Sequence, residues 1–255
     1  MKNWSGIYRL LAGALLILSC QPNKSTTKNE EKGDSLAMRE KYAESPVLDA
    51  KTALQHMQTE DGMQVQLVAA EPQVFVPVAM TFDDKGRMWV VEMMGYMPDT
   101  TGAGEDMKNG KIVILEDSNH DGTIDSRKVF LDSLVLPRAI CLVENGVLIA
   151  EPPKLWFVEN NNDVPGKKTL VDDKYTEGGN VEHQPNGLLR AMDNWIYNAK
   201  SDKRYRKAGN KWLIAHTHFR GQWGISQDNY GRLFYNNNSE NLLGDYFSPG
   251  LGAEN

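Results

Sequence analysis

The stretch Val78-Ala79-Met80-Thr81-Phe82-Asp83-Asp84-Lys85-Gly86-Arg87-Met88-Trp89-Val90-Val91-Glu92 decides the fold. Two apolar runs flank Asp-Asp-Lys-Gly, and residues of that kind tolerate the positive φ of a tight hairpin. The second run is aromatic and β-branched, as strands are. The same shape returns in residues 139–151 around Glu144-Asn145-Gly146, in 187–197 around Asp193-Asn194, and in 224–235 around Asp228-Asn229-Tyr230-Gly231. The turn positions Gly86, Gly146, Asn194 and Gly231 stand 60, 48 and 37 residues apart. A hairpin recurring at such spacing, with no helical periodicity between copies, predicts the blades of a β-propeller. The competing architecture is a β-sandwich with four similar hairpins. The fold class expected is all-β, a propeller over residues 61–255 with about four blades. The chain stops after a glycine-rich turn at residues 251–255 without a closing strand, so the propeller is expected to be C-terminally incomplete and the chain to be the front part of a longer protein.

Composition agrees with this class. The 255 residues are 40% apolar and 24% charged, enough for one large domain or two small ones with a buried core. Nine per cent aromatics beside 22 glycines favours short strands and tight turns over a helical bundle. The net charge of −6 argues against a general nucleic-acid surface. Cys20 and Cys141 are the only cysteines, too few for a disulfide framework or a zinc site, and no C-x-x-C-H motif for covalent haem occurs in this stretch.

Residues 1–19 read as a targeting signal. Lys2 and Arg9 supply a positive start, and the apolar run from Leu10 to Leu18 is too short to span a bilayer, which needs about 20 residues. It ends in Ile17-Leu18-Ser19-Cys20, which resembles the lipobox of bacterial lipoproteins, with Cys20 as the residue to be lipidated. An uncleaved anchor or a plain secretory signal is the alternative. Lipidation places the protein in the cell envelope, at the outer membrane or in the periplasm. Residues 20–60 follow as a tether rich in Lys, Glu, Asn, Ser and Thr, which cannot offset its own ordering entropy. Leu48, Leu54 and Met57 near helical spacing, with Asp49 as cap, predict one short helix between residues 46 and 59. Met63-Gln64-Val65-Gln66-Leu67 alternates as a half-buried strand does.

Two constellations carry chemistry. Asp117-Ser118-Asn119-His120-Asp121-Gly122-Thr123-Ile124-Asp125 reads D-x-N-x-D-G-x-x-D. Calcium takes six to eight oxygens, and Asp117, Asn119, Asp121, the Thr123 carbonyl and Asp125 can supply them around the turn at Gly122. Lys128 stands where an EF-hand has its bidentate Glu, so this is a calcium loop outside that context; the alternative is a solvated hairpin that binds nothing. Residues 159–166 look like a decayed second copy. The other constellation is Glu182-His183-Gln184-Pro185-Asn186-Gly187, immediately before the third repeat. A histidine at that point of a blade falls near the top or central channel, and imidazole is suited to take a proton from an alcohol. Arg138, and Arg220 before the fourth repeat, can face the same opening, where a guanidinium holds a planar carboxylate bidentately. A surface histidine and solvated arginines are the bland alternatives.

Residues from about 61 to 245 resemble the N-terminal propeller of bacterial proteins called membrane-bound dehydrogenases. The matching stretches include Leu67-Val68-Ala69-Ala70-Glu71-Pro72, Met88-Trp89-Val90-Val91-Glu92-Met93, Val135-Leu136-Pro137-Arg138 and Leu148-Ile149-Ala150-Glu151-Pro152-Pro153. They continue with Glu182-His183-Gln184-Pro185-Asn186-Gly187-Leu188, Asp193-Asn194-Trp195-Ile196-Tyr197 and Gly221-Gln222-Trp223-Gly224-Ile225. Members commonly carry c-type cytochrome modules after the propeller. A more distant similarity links the chain to soluble quinoprotein sugar dehydrogenases, which are six-bladed, calcium-dependent and use pyrroloquinoline quinone. Their catalytic histidine lies in a His-Gln pair, matched by His183-Gln184, and their quinone-binding arginine precedes an apolar repeat as Arg220 does here. Ala191 and Ser201-Asp202 depart from the glycines of that pattern.

The resemblance implies a propeller of the six-bladed type, about four blades of which are present in this chain, and a lipid-anchored, quinoprotein-like dehydrogenase acting on a sugar or alcohol. His183 is then the base, and Gln184, Asn186, Arg138 and Arg220 surround the quinone, with calcium polarising it. A downstream c-type cytochrome is the implied electron acceptor. Two other functions stay open. One is a non-catalytic propeller binding a glycan or protein partner. The other is a calcium-dependent lactonase-like hydrolase with Glu92, Glu151 and Asn186 around a central metal.

Overall fold

The structure, a computed structural model, describes residues 47–251. The signal segment, Cys20, most of the tether and residues 252–255 lie outside the described residues. The predicted helix is present as α1 (Ala50–Gln55), and Asp49 caps it by accepting from the amides of Lys51 and Thr52, both at 3.0 Å.

Fifteen strands follow, in four antiparallel meanders. The first sheet holds β1 (Pro77–Phe82), β2 (Met88–Glu92), β3 (Gly110–Glu116) and β4 (Ser126–Leu134). The second holds β5 (Ala139–Val143), β6 (Gly146–Glu151), β7 (Lys154–Asn160) and β8 (Pro165–Asp172). The third holds β9 (Asn186–Arg190), β10 (Ile196–Ala199), β11 (Ser201–Ala208) and β12 (Lys211–Arg220). The fourth has three strands, β13 (Ser226–Gln227), β14 (Leu233–Tyr235) and β15 (Leu243–Gly244). These are four blades of a β-propeller, and each repeat read from the sequence is the first hairpin of one blade.

The turns form for the reason the sequence gives. Asp83 accepts from the amides of Lys85 and Arg87, Asp228 does the same for Tyr230 and Arg232, and Asp193 takes the amide of Trp195. Gly86, Asn194 and Gly231 take the left-handed conformation as expected. The second hairpin differs: Glu144 carries the positive φ, while Gly146 opens β6 against the Phe157 ring. A Cβ there would stand 2.4 Å from that ring, so Gly146 is required for space and not for φ.

Alternation divides one strand between two interfaces. On β6, Val147 and Ile149 pack with Trp89, Ile112 and Phe130 of the first blade. Leu148 and Ala150 point the other way, toward Tyr175 and Ile196 and Tyr205 of the third. A sheet apolar on both faces, with a neighbouring sheet on each, is a propeller blade and not half of a sandwich. The outer face of the first blade, with Val90, Val113 and Leu115, is covered partly by Ala69 and Val74. Residues 63–67, expected as a strand, are irregular and mostly exposed. This segment has no ladder to join: its contacts to the loop at 117–125 are single bonds, from the Ile124 amide to Val68 and from Gln66 to the Gly122 carbonyl.

Polar staples join the blades. Arg87 holds Asp163 of the second blade bidentately at 2.6 and 2.9 Å, giving residues 159–166 a structural task in place of a metal. Asp172 of the second blade accepts from Lys203 and Tyr205 of the third, at 2.9 and 2.8 Å.

Candidate functional site at the loop end

Strand direction sorts the connections to two ends. Residues 83–87, 117–125, 144–145, 161–164 and 191–195 lie at the hairpin end. Residues 93–109, 135–138, 173–185, 200 and 221–225 lie at the loop end. The Asp117–Asp125 segment joins β3 to β4 and His183 precedes β9, so the two constellations occupy opposite ends. The acidic loop therefore serves no ligand that His183 touches. Its own geometry is also closed. Asp117 accepts from the amides of Asp121 and Gly122, Asp121 and Asn119 cap amides within the turn, and Asp125 takes the Ser118 hydroxyl and amide. The Thr123 amide is one of the groups so bound, to Asp121 at 2.8 Å. Among the described residues no group of three or more His, Cys, Asp or Glu side chains converges as metal ligands. The side-chain oxygens expected for calcium at Asp117, Asn119, Asp121 and Asp125 accept hydrogen bonds within the loop, from backbone N–H groups and from the Ser118 hydroxyl.

At the loop end, His183 closes a single 3-10 turn (Val181–His183) and is exposed. Asn180 caps that turn through the Glu182 amide. Both neighbours of His183 on the turn are fixed from other blades. Tyr96 donates to the Glu182 carboxylate at 2.5 Å, and the Arg138 guanidinium donates to the Val181 carbonyl. The bond to Glu182 pushes the Tyr96 hydroxyl up to about 12. Tyr96 was not legible as a site residue. The available signal was length: the connection between β2 and β3 covers residues 93–109, whereas its counterparts in the next blades are residues 152–153 and Lys200 alone. Lys200 sits at φ 57 and donates to Gln222 at 3.0 Å, adding a second cation to this end.

The expected cofactor residues separate into two groups. Arg220 is 1% exposed, and all five of its N–H groups are used inside the protein. Nε and Nη2 hold Asp245 at 2.7–3.1 Å, Nη2 also reaches the Pro249 carbonyl, and Nη1 serves Thr217 and the His218 carbonyl. No donor is left for a quinone carboxylate. Asn186 is also closed, donating to the carbonyls of Gln184 and Gln222 and accepting from the Gly224 amide. It ties the third blade to the segment leading into the fourth. Gln184 is buried and donates to the Gly179 carbonyl at 3.4 Å. Arg138 alone keeps open positions: it is 1% exposed, with Nε and Nη2 unpartnered among the described residues. Burial pulls its pKa down to about 10, still above neutrality. The quinone is therefore not fitted by the residues expected to hold it.

The carboxylates named for a lactonase-like centre are committed as well. Glu92 is fully buried, accepts from the Phe75 amide and pairs with Arg127 at 2.9 Å. Glu151 accepts from the Val135 amide and pairs with Lys168 at 3.0 Å. The two play one role in successive blades: a Glu at the end of the second strand fixes the segment approaching the first strand, where Val76 and Leu136 each take a positive φ before proline.

Comparison with known proteins gives distant likenesses. No curated protein matches the sequence. Among solved structures, a gluconolactonase from Xanthomonas campestris is 12% identical with a TM-score of 0.48, covering 67% of this chain and 57% of that one. The PQQ domain of a pyranose dehydrogenase from Coprinopsis cinerea is 12% identical with a TM-score of 0.48, covering 69% and 46%. A calcium-binding protein, regucalcin, from Agrobacterium tumefaciens is 16% identical with a TM-score of 0.41, covering 62% and 52%. The chain thus spans about half the length of these structures. Over residues 49–251 it belongs to the family described as Domain of unknown function (DUF7133).

Proposed function

We propose that the loop end is the active site of a sugar- or alcohol-directed oxidoreductase, tethered in the cell envelope by a lipid on Cys20. One observation carries this reading: an exposed histidine on a turn whose two preceding positions are both held by side chains of other blades. A base must be accessible and held near its substrate to take a hydroxyl proton; His183 is exposed, and the turn that carries it is tied in place. Tyr96 and Glu182 set the turn, and Arg138 anchors it from beneath through Val181. With the hydroxyl proton on His183, the hydride leaving carbon needs a two-electron acceptor bound at the loop end, and a c-type cytochrome module, which takes electrons singly, is the onward partner the resemblance implies. Because Arg220 and Asn186 are occupied, no step is routed through pyrroloquinoline quinone.

The test is turnover by the detergent-solubilised full chain with a panel of sugars and alcohols and an artificial electron acceptor. Lactone hydrolysis without acceptor is followed in parallel. Acceptor-dependent turnover that falls about 10²–10⁴-fold in His183→Ala, at an unchanged melting temperature, is the expected result. Acceptor-independent lactone hydrolysis would replace this reading with a hydrolase. Glycan binding without turnover in either assay would replace it with a binding module.

A further inference from the structure

Arg138 and Arg220 are both 1% exposed, and they differ in one respect. On Arg220 the Nε–Nη2 edge is filled side-on by the Asp245 carboxylate. On Arg138 the same edge has no partner among the described residues, and Nη1 alone is bonded, to the Val181 carbonyl. A guanidinium does not shed its proton, so its burial without a counter-anion carries a large uncompensated desolvation cost. The groups that act on Arg138 electrostatically are Tyr175, Tyr96 and Glu105, and none is hydrogen-bonded to it. The open edge is the one that accepts a carboxylate with two parallel N–H···O bonds.

We infer that Arg138 anchors a carboxylate of the ligand, so that the substrate class of this site is a sugar acid, a uronate or aldonate. The inference rests on the sugar reading above and narrows it. A monoanion is favoured over a phosphate dianion because Glu105 and Glu182 lie at the same end of the propeller and repel the second charge. Access follows from the loops. Because Arg138 is 1% exposed, a ligand reaches it only if the surrounding loops part, and the Tyr96–Glu182 hydrogen bond is one contact that joins residues 93–109 to 173–185. A carboxylate seated on Arg138 places the rest of the sugar toward the turn that carries His183, since Arg138 already holds Val181 of that turn.

The experiment uses calorimetric titration of the full chain with glucuronate, gluconate, glucose and inorganic phosphate, beside Arg138→Met and Arg220→Met. One or both acids should bind at least about tenfold tighter than glucose, and Arg138→Met should remove that advantage while leaving glucose binding in place. Without ligand, Arg138→Met should keep or raise the melting temperature, because it removes an uncompensated charge, whereas Arg220→Met should lower it by several degrees. Three results overturn the inference: acids binding no tighter than glucose, including no binding of either; phosphate binding as tightly as glucuronate, which marks an adventitious anion site only; or Arg138→Met melting as low as Arg220→Met, which makes Arg138 a structural tie. Glucose turnover that needs His183, with acids that bind and turn over no better than glucose, would remove this inference and leave the proposed reaction standing.

Discussion

Removing Asp245 strands a charge that nothing else can reach. The Arg220 and Asp245 side chains are 1% and 7% exposed and share three N···O contacts of 2.7–3.1 Å. Breaking one side of such a pair leaves a desolvated guanidinium, a loss of about 3–5 kcal/mol. For a domain of this size each kcal/mol moves the midpoint by about 2–4 °C, so Asp245→Ala should melt about 6–20 °C lower. Asp245→Asn keeps one acceptor oxygen and should lose roughly half as much. Arg220→Lys should not substitute, because an ammonium cannot serve the carboxylate, Thr217 and two carbonyls at once. The double change Arg220→Met with Asp245→Leu removes both charges and should recover stability to within about 1 kcal/mol of the parent. Urea unfolding of the four variants, followed by tryptophan fluorescence, reads these differences. An Asp245→Ala protein within 2 °C of the parent would refute the structural account of Arg220. So would Arg220→Met that loses activity at an unchanged midpoint, which would return Arg220 to ligand binding.

Three further outcomes follow from the packing. Arg87→Met cuts the staple between the first two blades and should cost about 2–4 kcal/mol; the hydrogen bond from Arg87 holds Asp163 below its ordinary value of 3.8, so this stability is present above that pH and is lost as pH falls through the lower folded value. Acid unfolding of Arg87→Met should therefore be flatter below pH 4, and a parallel shift at all pH values would exclude the linkage. Gly146→Ala brings a Cβ to 2.4 Å from the Phe157 ring and 2.6 Å from the Val158 carbonyl, so urea unfolding should show a loss of about 1–3 kcal/mol. The Cys141 thiol is pushed up to about 11 by burial against β6 and the third blade, so it should resist a disulfide reagent at neutral pH until the protein unfolds; prompt native labelling would place it at the surface.

The fold was legible because its unit is local. Hairpin turns need particular residues, and Asp83, Asn194, Asp228 and Gly231 declare them without reference to anything distant. The alternation of Val147, Leu148, Ile149 and Ala150 likewise shows a strand buried on both faces, which already favours blade over sandwich. Residues 63–67 alternate apolar and polar side chains and fail as a strand, since a ladder requires a partner edge and periodicity alone does not provide one. Gly146 shows the limit from the other side: its residue type was right for a turn, yet its task is set by a ring eleven residues away.

The site was less legible because charged residue types do not state their partners. Arg220 and Arg138 look equivalent in sequence, each leading into an apolar repeat, and they are equally buried. Their difference lies in Asp245, twenty-five residues beyond Arg220 and on the far side of a blade. Glu92, Glu151 and Asn186 were similarly plausible ligands until the amides of Phe75, Val135 and Gly224 were found to occupy them. Propeller blades need polar groups to fix the segments that pass from one sheet to the next, and this chain spends most of its buried polar residues there. Of the site residues expected from the sequence at the loop end, that subtraction leaves His183 exposed on its turn and the buried Arg138 guanidinium with an open edge. Both the proposed reaction and its proposed substrate class rest on those two residues.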